Sequence, residues 1–438
     1  MGEKAGSSAG HRSFVMVVLD GMGDLPHPSL QGKTPLEAAR TPNMDRLAGR
    51  GSLGTLNTVR RGVAPESDAG VLGLLGYDPE TESPGRGVLE AMGAGLDIKD
   101  GEVALRFNFA TADDSGKIID QRVGRGLSTS EASSLASSLT DASLLDREGI
   151  DAKVFATVGH RGVVHLRATD GSPLSGDVSN SDPFYERSGR AGHALRPSDP
   201  RPREVKALVD SPEARRTAGA MNLLSARAIP VLAADPVNAA RRSRGVLLAN
   251  RLLMRDAGTR PAGLQSFEAR HGVPGTAVTE MPVERGIAHL LGLTDVFVGQ
   301  MGPDIAQELR KRADLVREAM GRTPFVYVHL KGPDEPGHDG QAEKKRDVIQ
   351  RLDEHFVGPF MDGLDLKEVR VAVTADHSTP CIRKGHTDDP VPLLVVGGDG
   401  YSPERPPIKF SEATCAKGAL GEMAGKDLVP LLLGKRQR

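Results

Sequence analysis

Apolar positions in this chain fall into two kinds of run. The first is short and unbroken: "FVMVVL" at 14–19, "AVTEM" at 277–281, "FVYVHL" at 325–330, "VRVAVTA" at 369–375 and "PLLVVGG" at 392–398. Runs of this length without polar alternation, rich in β-branched residues, predict strands buried on both faces, as in a parallel sheet. The second kind repeats every three to four residues. "TPNMDRLAGRG" predicts a helix with Thr41 at the N-cap, Pro42 in the first turn and Gly51 as a stop. Further helices are predicted over "ESDAGVLGLLGY", over "VERGIAHLLGL", from Pro303 to Met320 and from Gln341 to about Phe360. Strands alternating with helices imply an α/β core, a mostly parallel sheet with helices on both faces.

The middle of the chain has another rhythm. "VALRFNFAT", "GKIIDQRV", "AKVFATV" and "GVVHLRA" are shorter strand candidates. Between them lies "STSEASSLASSLTDASLL", serine-rich like a low-complexity segment. Ser128 followed by Glu131 forms a capping box, however, and Leu135 and Leu139 share one face, which predicts a helix. We therefore expect a small α+β domain over 105–200, inserted into a core formed by 1–104 and 201–438. The Pro- and Arg-rich stretch 196–204 marks its C-terminal boundary. No internal repeat is visible.

Composition narrows the function classes. The 438 residues carry a formal net charge of −2 with dispersed basic residues, so bulk charge offers no drive toward nucleic acid. The two cysteines, Cys381 and Cys415, are far apart, which speaks against a disulfide framework and for a reducing compartment. The N-terminal "MGEKAGSSAGHRS" lacks the apolar stretch of a signal peptide, and no run approaches the ~20 apolar residues of a bilayer span. The expectation is a cytoplasmic protein, with neither nucleic acid nor membrane as partner.

Ligands of α/β sheets gather at the carboxyl ends of the strands. There the chain places Asp20 after the first run, Asp334 and His338 after "FVYVHL", Asp376 and His377 after "VRVAVTA", and then His386 in "RKGH". Any one of these could be a turn residue or a surface histidine. Together they form a set of carboxylates and imidazoles suited to Mn²⁺, Zn²⁺ or Fe²⁺ rather than to the all-oxygen shells of Ca²⁺. Asp334 and His338, four residues apart, can hold one ion from the end of one strand. Six ligands suit two ions, and two metals ~3.5–4 Å apart clamp phosphoryl displacement. "APESDAG" supplies a nucleophile, Ser67, at a predicted helix N-terminus that favours anions.

The segments "DGMGD", "PESDAG", "DEPGHDG", "TADHSTP" and "KGHTDDPVP" resemble the alkaline phosphatase superfamily. With "GKTPLEAARTPNMDRLA", "LLGYDP", "GRGVLEAMGAGL", "NFAT" and "VHLKGPDEPGHDG", the chain from about 14 to about 433 is similar to the archaeal-type cofactor-independent phosphoglycerate mutases. The resemblance implies an alkaline phosphatase-like core and two divalent ions (Mn²⁺, Zn²⁺, Co²⁺ or Mg²⁺) without an organic cofactor. It implies that Asp20, Ser67, Asp376 and His377 hold one ion, and Asp334, His338 and His386 the other. It also implies that Ser67 carries a phosphoryl group between 3-phosphoglycerate and 2-phosphoglycerate, a step of glycolysis and gluconeogenesis. Glu66 stands where many relatives have a small residue. The insertion has the position of the cap that holds the glycerate. A mutase must keep its glycerate while the phosphoryl group waits on the enzyme, so it needs cations for the carboxylate. Arg122, Arg125, His160 and Arg161 lie beside cap strands, and Lys331 lies at a core strand end. Two other readings are a metal-dependent phosphatase or different phosphomutase on the same core, and a non-catalytic metal-binding regulator.

Overall fold

A computed structural model describes residues 13–188, 191–194, 196–398 and 405–435. The N-terminal Gly/Ser-rich segment up to residue 12 lies outside them. Chain contacts divide the molecule into two units, one of residues 1–81 and 265–438, the other of Glu82–Leu264. In chain order the strands are β1 (Ser13–Leu19) and β2 (Ser52–Asn57), then β3 (Val103–Ala112), β4 (Ile118–Asp120), β5 (Ile150–Ala156), β6 (Arg161–Ala168), β7 (Tyr185–Ser188), β8 (Ala191–Ala194) and β9 (Arg251–Thr259). The first unit resumes with β10 (Gly275–Thr279), β11 (Thr294–Phe297), β12 (Phe325–Leu330), β13 (Val369–Thr374), β14 (Val391–Gly397) and β15 (Gly421–Ala424). Among the described residues, no helix is long and apolar enough to cross a membrane. Cys381 and Cys415 are buried free thiols.

The first unit is built on one eight-stranded sheet, ordered β11-β10-β12-β1-β13-β14-β2-β15, with flanking helices. Its strands from β11 to β13 run parallel, β14 is antiparallel to both β13 and β2, and β15 is parallel to β2. The unbroken apolar runs are its centre: every residue of β12 is buried, as are Val15 to Leu19 of β1. Register then positions the chemistry. Leu19 pairs with Leu330, and Val18 with Thr374, so three adjacent strands end side by side. The residues that follow them are Asp20, Lys331 and Ala375.

The second unit is the insertion, and it is larger than 105–200. Strand β9, which follows the expected boundary, pairs with β3 throughout its length. Arg106 on β3 bonds Asp256 of β9 at 3.1 Å and meets Glu90 of the helix Arg86–Gly93 at 3.0 Å, so segments before and after the expected limits belong to this unit. The Pro- and Arg-rich stretch is pinned inside it: Ile118 N–H donates to the Pro200 carbonyl and Arg203 N–H to the Ser181 carbonyl. The serine-rich segment is the helix Thr129–Asp141, and both halves of the Ser128/Glu131 capping box are formed. Its Leu135 and Leu139 join Phe107 and Phe109 of β3, Val164 of β6, Met254 of β9 and Met221 of the helix Pro212–Ala234 in one core.

Candidate metal centre

Two clusters of metal-ligand type form at the carboxyl ends of β1, β12 and β13. Asp20, Asp376 and His377 are buried and each offers an atom within 4.8 Å of the others; Asp334, His338 and His386 do the same with partial exposure. The "DG" after β1 is a tight turn in which Gly21 has φ +61°, and a Cβ there would meet Asp334 Oδ1 at 2.8 Å. Only glycine lets the turn after Asp20 lie this close to Asp334. The "DEPGHD" segment is a short helix, Asp334–Asp339, rather than an open turn. Pro336 is tolerated because it falls in the first turn, where N–H groups have no intrahelical partner. One helical turn then puts His338 above Asp334, with His338 Nε2 3.4 Å from Asp334 Oδ1.

Ser67 is the first residue of the helix Ser67–Leu74, with Glu66 at the N-cap position. A Cβ on Gly70 would lie 2.3 Å from the Asp376 carbonyl, so this glycine lets the helix rest directly on the end of β13. Ser67 Oγ is thereby 3.1 Å from His377 Nε2.

Neighbouring groups fix the imidazole tautomers. Thr379 donates its hydroxyl proton to Asp334 Oδ1 at 2.6 Å, so its oxygen accepts from His377 Nδ1–H at 3.0 Å. The His377 Nε2 lone pair therefore faces Ser67. His386 Nδ1 donates to the Pro65 carbonyl at 2.8 Å, which leaves its Nε2 lone pair 3.2 Å from His338 Nε2 and 3.5 Å from Asp334 Oδ1. Thr379 links the two clusters, and the His377 and His386 rings stack with centroids 3.8 Å apart.

Charge is poorly balanced among these groups. Asp20 Oδ1 and Asp376 Oδ2 are buried and have no hydrogen-bond partner. Burial raises the Asp20 carboxyl, but Lys331, His329 and His377 outweigh it and hold the group well below the usual range. Burial raises Asp376, and the Asp20 charge adds to it against the pull of His377, so that carboxyl titrates above its ordinary value. Burial opposes protonation of His386, yet Asp334 and Glu66 draw its pKa upward. Orphaned carboxylate oxygens beside inward-facing imidazole lone pairs are a donor set that a divalent cation satisfies, and the two clusters fit two such ions.

Among the residues expected from the sequence, Asp20, Ser67, Asp376 and His377 gather in one cluster, and Asp334, His338 and His386 in the other. Lys331 sits beside the first, but its ammonium is already held by Asp20 Oδ2 at 3.2 Å and Glu284 Oε1 at 2.6 Å. Arg122, Arg125, His160 and Arg161 gather in the insertion. Burial, followed by the charges of Arg161, Arg122, Arg125 and Arg255, pushes the His160 pKa down to about 4. Asp120 Oδ1 accepts from the N–H groups of Arg122 and Gly124, and Val123 and Arg125 both take positive φ, 52° and 56°. Left-handed backbone at a β-branched residue is costly and persists where the surroundings impose it. Here Val123 is locked into the apolar core while Arg125 stays exposed.

The sequence reading missed Arg255, Glu284, Tyr327 and His329. A signal was present for His329, a polar residue in an otherwise apolar buried run. Glu284 offered only its position as the third residue of a helix, where a carboxylate caps.

Comparison with known proteins places the chain in a family. Residues 48–238 match the family model described as 2,3-bisphosphoglycerate-independent phosphoglycerate mutase. The protein of that name from Aeropyrum pernix is 44% identical over 416 residues, covering 94% of this chain and 96% of its own. The one from Methanopyrus kandleri is 38% identical, with 96% of each chain covered. Among solved structures, the PH0037 protein from Pyrococcus horikoshii matches 98% of both chains with a TM-score of 0.77 at 28% identity. The cofactor-independent phosphoglycerate mutase from Thermoplasma acidophilum matches 97% of this chain and 99% of its own, with a TM-score of 0.66 at 30% identity. From the strand-end carboxylates and histidines to these matches over nearly its whole length, the chain belongs to the 2,3-bisphosphoglycerate-independent phosphoglycerate mutase family.

Proposed function

We propose that the protein interconverts 3-phosphoglycerate and 2-phosphoglycerate through a phosphoserine at Ser67. The observation that carries this reading is the placement of Ser67: a hydroxyl at a helix N-terminus, 3.1 Å from an imidazole nitrogen whose lone pair is fixed toward it. Asp20, Ser67, Asp376 and His377 would hold one divalent ion and Asp334, His338 and His386 a second. Such ions, when bound, lower the pKa of a coordinated hydroxyl and neutralise phosphoryl oxygens.

The residues themselves do the following. Ser67 Oγ attacks phosphorus, a bond from oxygen to phosphorus forms, and the bond to the glycerate oxygen breaks. The proton lost by Ser67 is balanced by the one gained on the departing hydroxyl. In the second half the other glycerate hydroxyl attacks the phosphoserine, the Ser67 Oγ–P bond breaks, and serine regains its proton. The helix N-terminus favours the phosphoryl charge throughout. Between the halves, the glycerate must be retained by its carboxylate. Arg122, Arg125 and Arg161 suit that task because guanidinium groups bind carboxylates in bidentate fashion. His160, neutral above about pH 4, adds a polar group without a further charge.

The test is a coupled enolase assay on 3-phosphoglycerate without added 2,3-bisphosphoglycerate, after chelation and metal add-back. It is run beside acid-quenched enzyme whose Ser67 peptide is weighed by mass spectrometry. We expect metal-dependent isomerisation and one phosphate on that peptide. Ser67→Ala should keep the fold and fall below roughly one-thousandth of wild-type turnover. Release of inorganic phosphate without isomerisation would show a phosphatase, and absence of any phosphoserine would end the proposal.

A further inference from the structure

His329 is fully buried in β12, and its Nε2 has no hydrogen-bond partner. That nitrogen lies 3.5 Å from Asp20 Oδ1 and 3.5 Å from Asp376 Oδ2, the two carboxylate oxygens that are themselves orphaned. Three unsatisfied buried atoms facing one another are costly unless they act together.

The other end of the ring shows how they act. Tyr327, two residues back on the same strand and likewise buried, has its hydroxyl 3.0 Å from His329 Nδ1. A buried phenol needs an acceptor for its proton, and Nδ1 is the one this hydroxyl meets. The phenol therefore donates to Nδ1, and the imidazole proton resides on Nε2, aimed at Asp20 and Asp376. The period of a strand makes this possible, since residues i and i+2 share a face. Glu284 Oε1 lies 3.2 Å from Nδ1 without a hydrogen bond to it, and 2.6 Å from Lys331, which in turn meets Asp20 Oδ2. Glu284 is itself anchored, because its Oε2 accepts the backbone N–H groups of Glu280 and Met281 at its own helix start.

Asp20 thus faces Lys331 at Oδ2 and the His329 ring at Oδ1. Asp376 is gripped at Oδ1 by the N–H groups of Gly21 and His377, and meets His329 at Oδ2. We propose that His329, its tautomer set by Tyr327, is a positioning residue for the Asp20/Asp376/His377 metal site, orienting both carboxylates toward the ion. This rests on the metal reading given above. Groups of this kind outside the ligand set are worth roughly 10- to 100-fold in metal affinity.

The test measures Mn²⁺ binding to chelator-stripped protein by calorimetry and by elemental analysis, without reference to turnover. Wild type, His329→Asn, Tyr327→Phe and Asp334→Asn are compared. Wild type should hold two ions and Asp334→Asn should weaken one of them, which identifies that site. His329→Asn should weaken the other ion about 10- to 100-fold and leave the first unchanged. Tyr327→Phe keeps the ring and its packing, and removes only the hydroxyl. It should weaken the same ion by a smaller factor, and it carries the test alone if His329→Asn fails to fold. A structural role would instead lower the melting temperature and weaken both sites in parallel. Parallel weakening, or two ions at wild-type affinity in both variants, would overturn the role of His329. No ion in the wild type would overturn the metal reading itself and this inference with it.

Discussion

Lys345 is fully buried, as is the Asp24 carboxylate it meets at 2.8 Å. Its ammonium also donates to the carbonyls of Gly23 at 3.1 Å and Thr379 at 2.9 Å. Asp24 in turn accepts from the N–H groups of Leu25 and Cys381. One buried cation therefore ties the loop after β1 to the loop after β13, the two that carry Asp20 and Asp376. In Lys345→Met the stem volume is kept and the charge is lost. Breaking a buried ion pair costs about 3–5 kcal/mol, because the surviving charge has no counter-ion. Asp24 retains two backbone donors, which places the expected loss near the lower end, about 3 kcal/mol. Urea unfolding of metal-free protein measures it, followed by circular dichroism because the chain has no tryptophan. Asp24→Asn on the Lys345→Met background removes the stranded charge and should recover at least half of the loss. A single variant within about 1 kcal/mol of wild type, or a double variant no better than the single, would refute the reasoning.

Other outcomes are equally specific. His338→Ala should remove one ion and cut turnover by orders of magnitude with the fold intact; unchanged metal content by elemental analysis would count against its place in the centre. Replacing Arg122 or Arg125 should lower isomerisation more than hydrolysis of a small phosphate ester, and equal losses would remove them from glycerate orientation. Glu412 accepts from the Thr34 hydroxyl and the Asp24 N–H, and burial pushes its pKa up to about 7. Between the ordinary carboxyl value and about 7 the folded state binds the extra proton. Stability from this group is therefore full in acid and is lost as pH rises through about 7, by at most about 3 kcal/mol. Glu412→Gln should flatten that part of the stability profile, measured by urea unfolding from pH 5 to 8; an unchanged profile would refute the assignment.

The candidate centre was legible because its residues obey a simple rule: a polar residue directly after an unbroken apolar run. Asp20 and Asp376 follow that rule, and Asp334, His338 and His386 follow closely behind their strands. What lay outside it was missed. Strand β9 is interrupted by Arg255 and Asp256 and was not singled out as a strand; in the structure Arg255 bonds Asp182 at 3.0 Å and Asp256 meets Arg106. Their pairing, which only the folded chain supplies, makes the burial tolerable. Strand β15, "GEMA", has no pattern of its own and exists because β2 offers an edge. The stretch 196–204 misled for the opposite reason: proline and arginine suggest a linker, yet its backbone groups find partners within the insertion. The cations of the insertion could be named but not grouped, since their convergence around His160 depends on a backbone turn with positive φ at Val123 and Arg125.

The position of β1 sets the order in which such a chain can be made. It is an early strand in sequence, yet its neighbours in the sheet are β12 and β13. Phe14 waits for Phe325, and Ser13 for Val369. During synthesis, β1 emerges with no partner and remains so until most of the chain has followed. The insertion, whose strands and helices all lie within Glu82–Leu264, can close its contacts much earlier. Joining residues some 300 positions apart costs roughly 5 kcal/mol of loop-closure entropy before any strand pairing offsets it. Folding dominated by such distant contacts is slow, and an unpaired apolar strand is exposed meanwhile to aggregation. The proposed metal ligands Asp20, Asp334 and Asp376 sit at the ends of these same late-meeting strands, so the candidate centre would be among the last parts of the molecule to form, and a chain halted before residue 376 would carry a folded insertion but an incomplete centre.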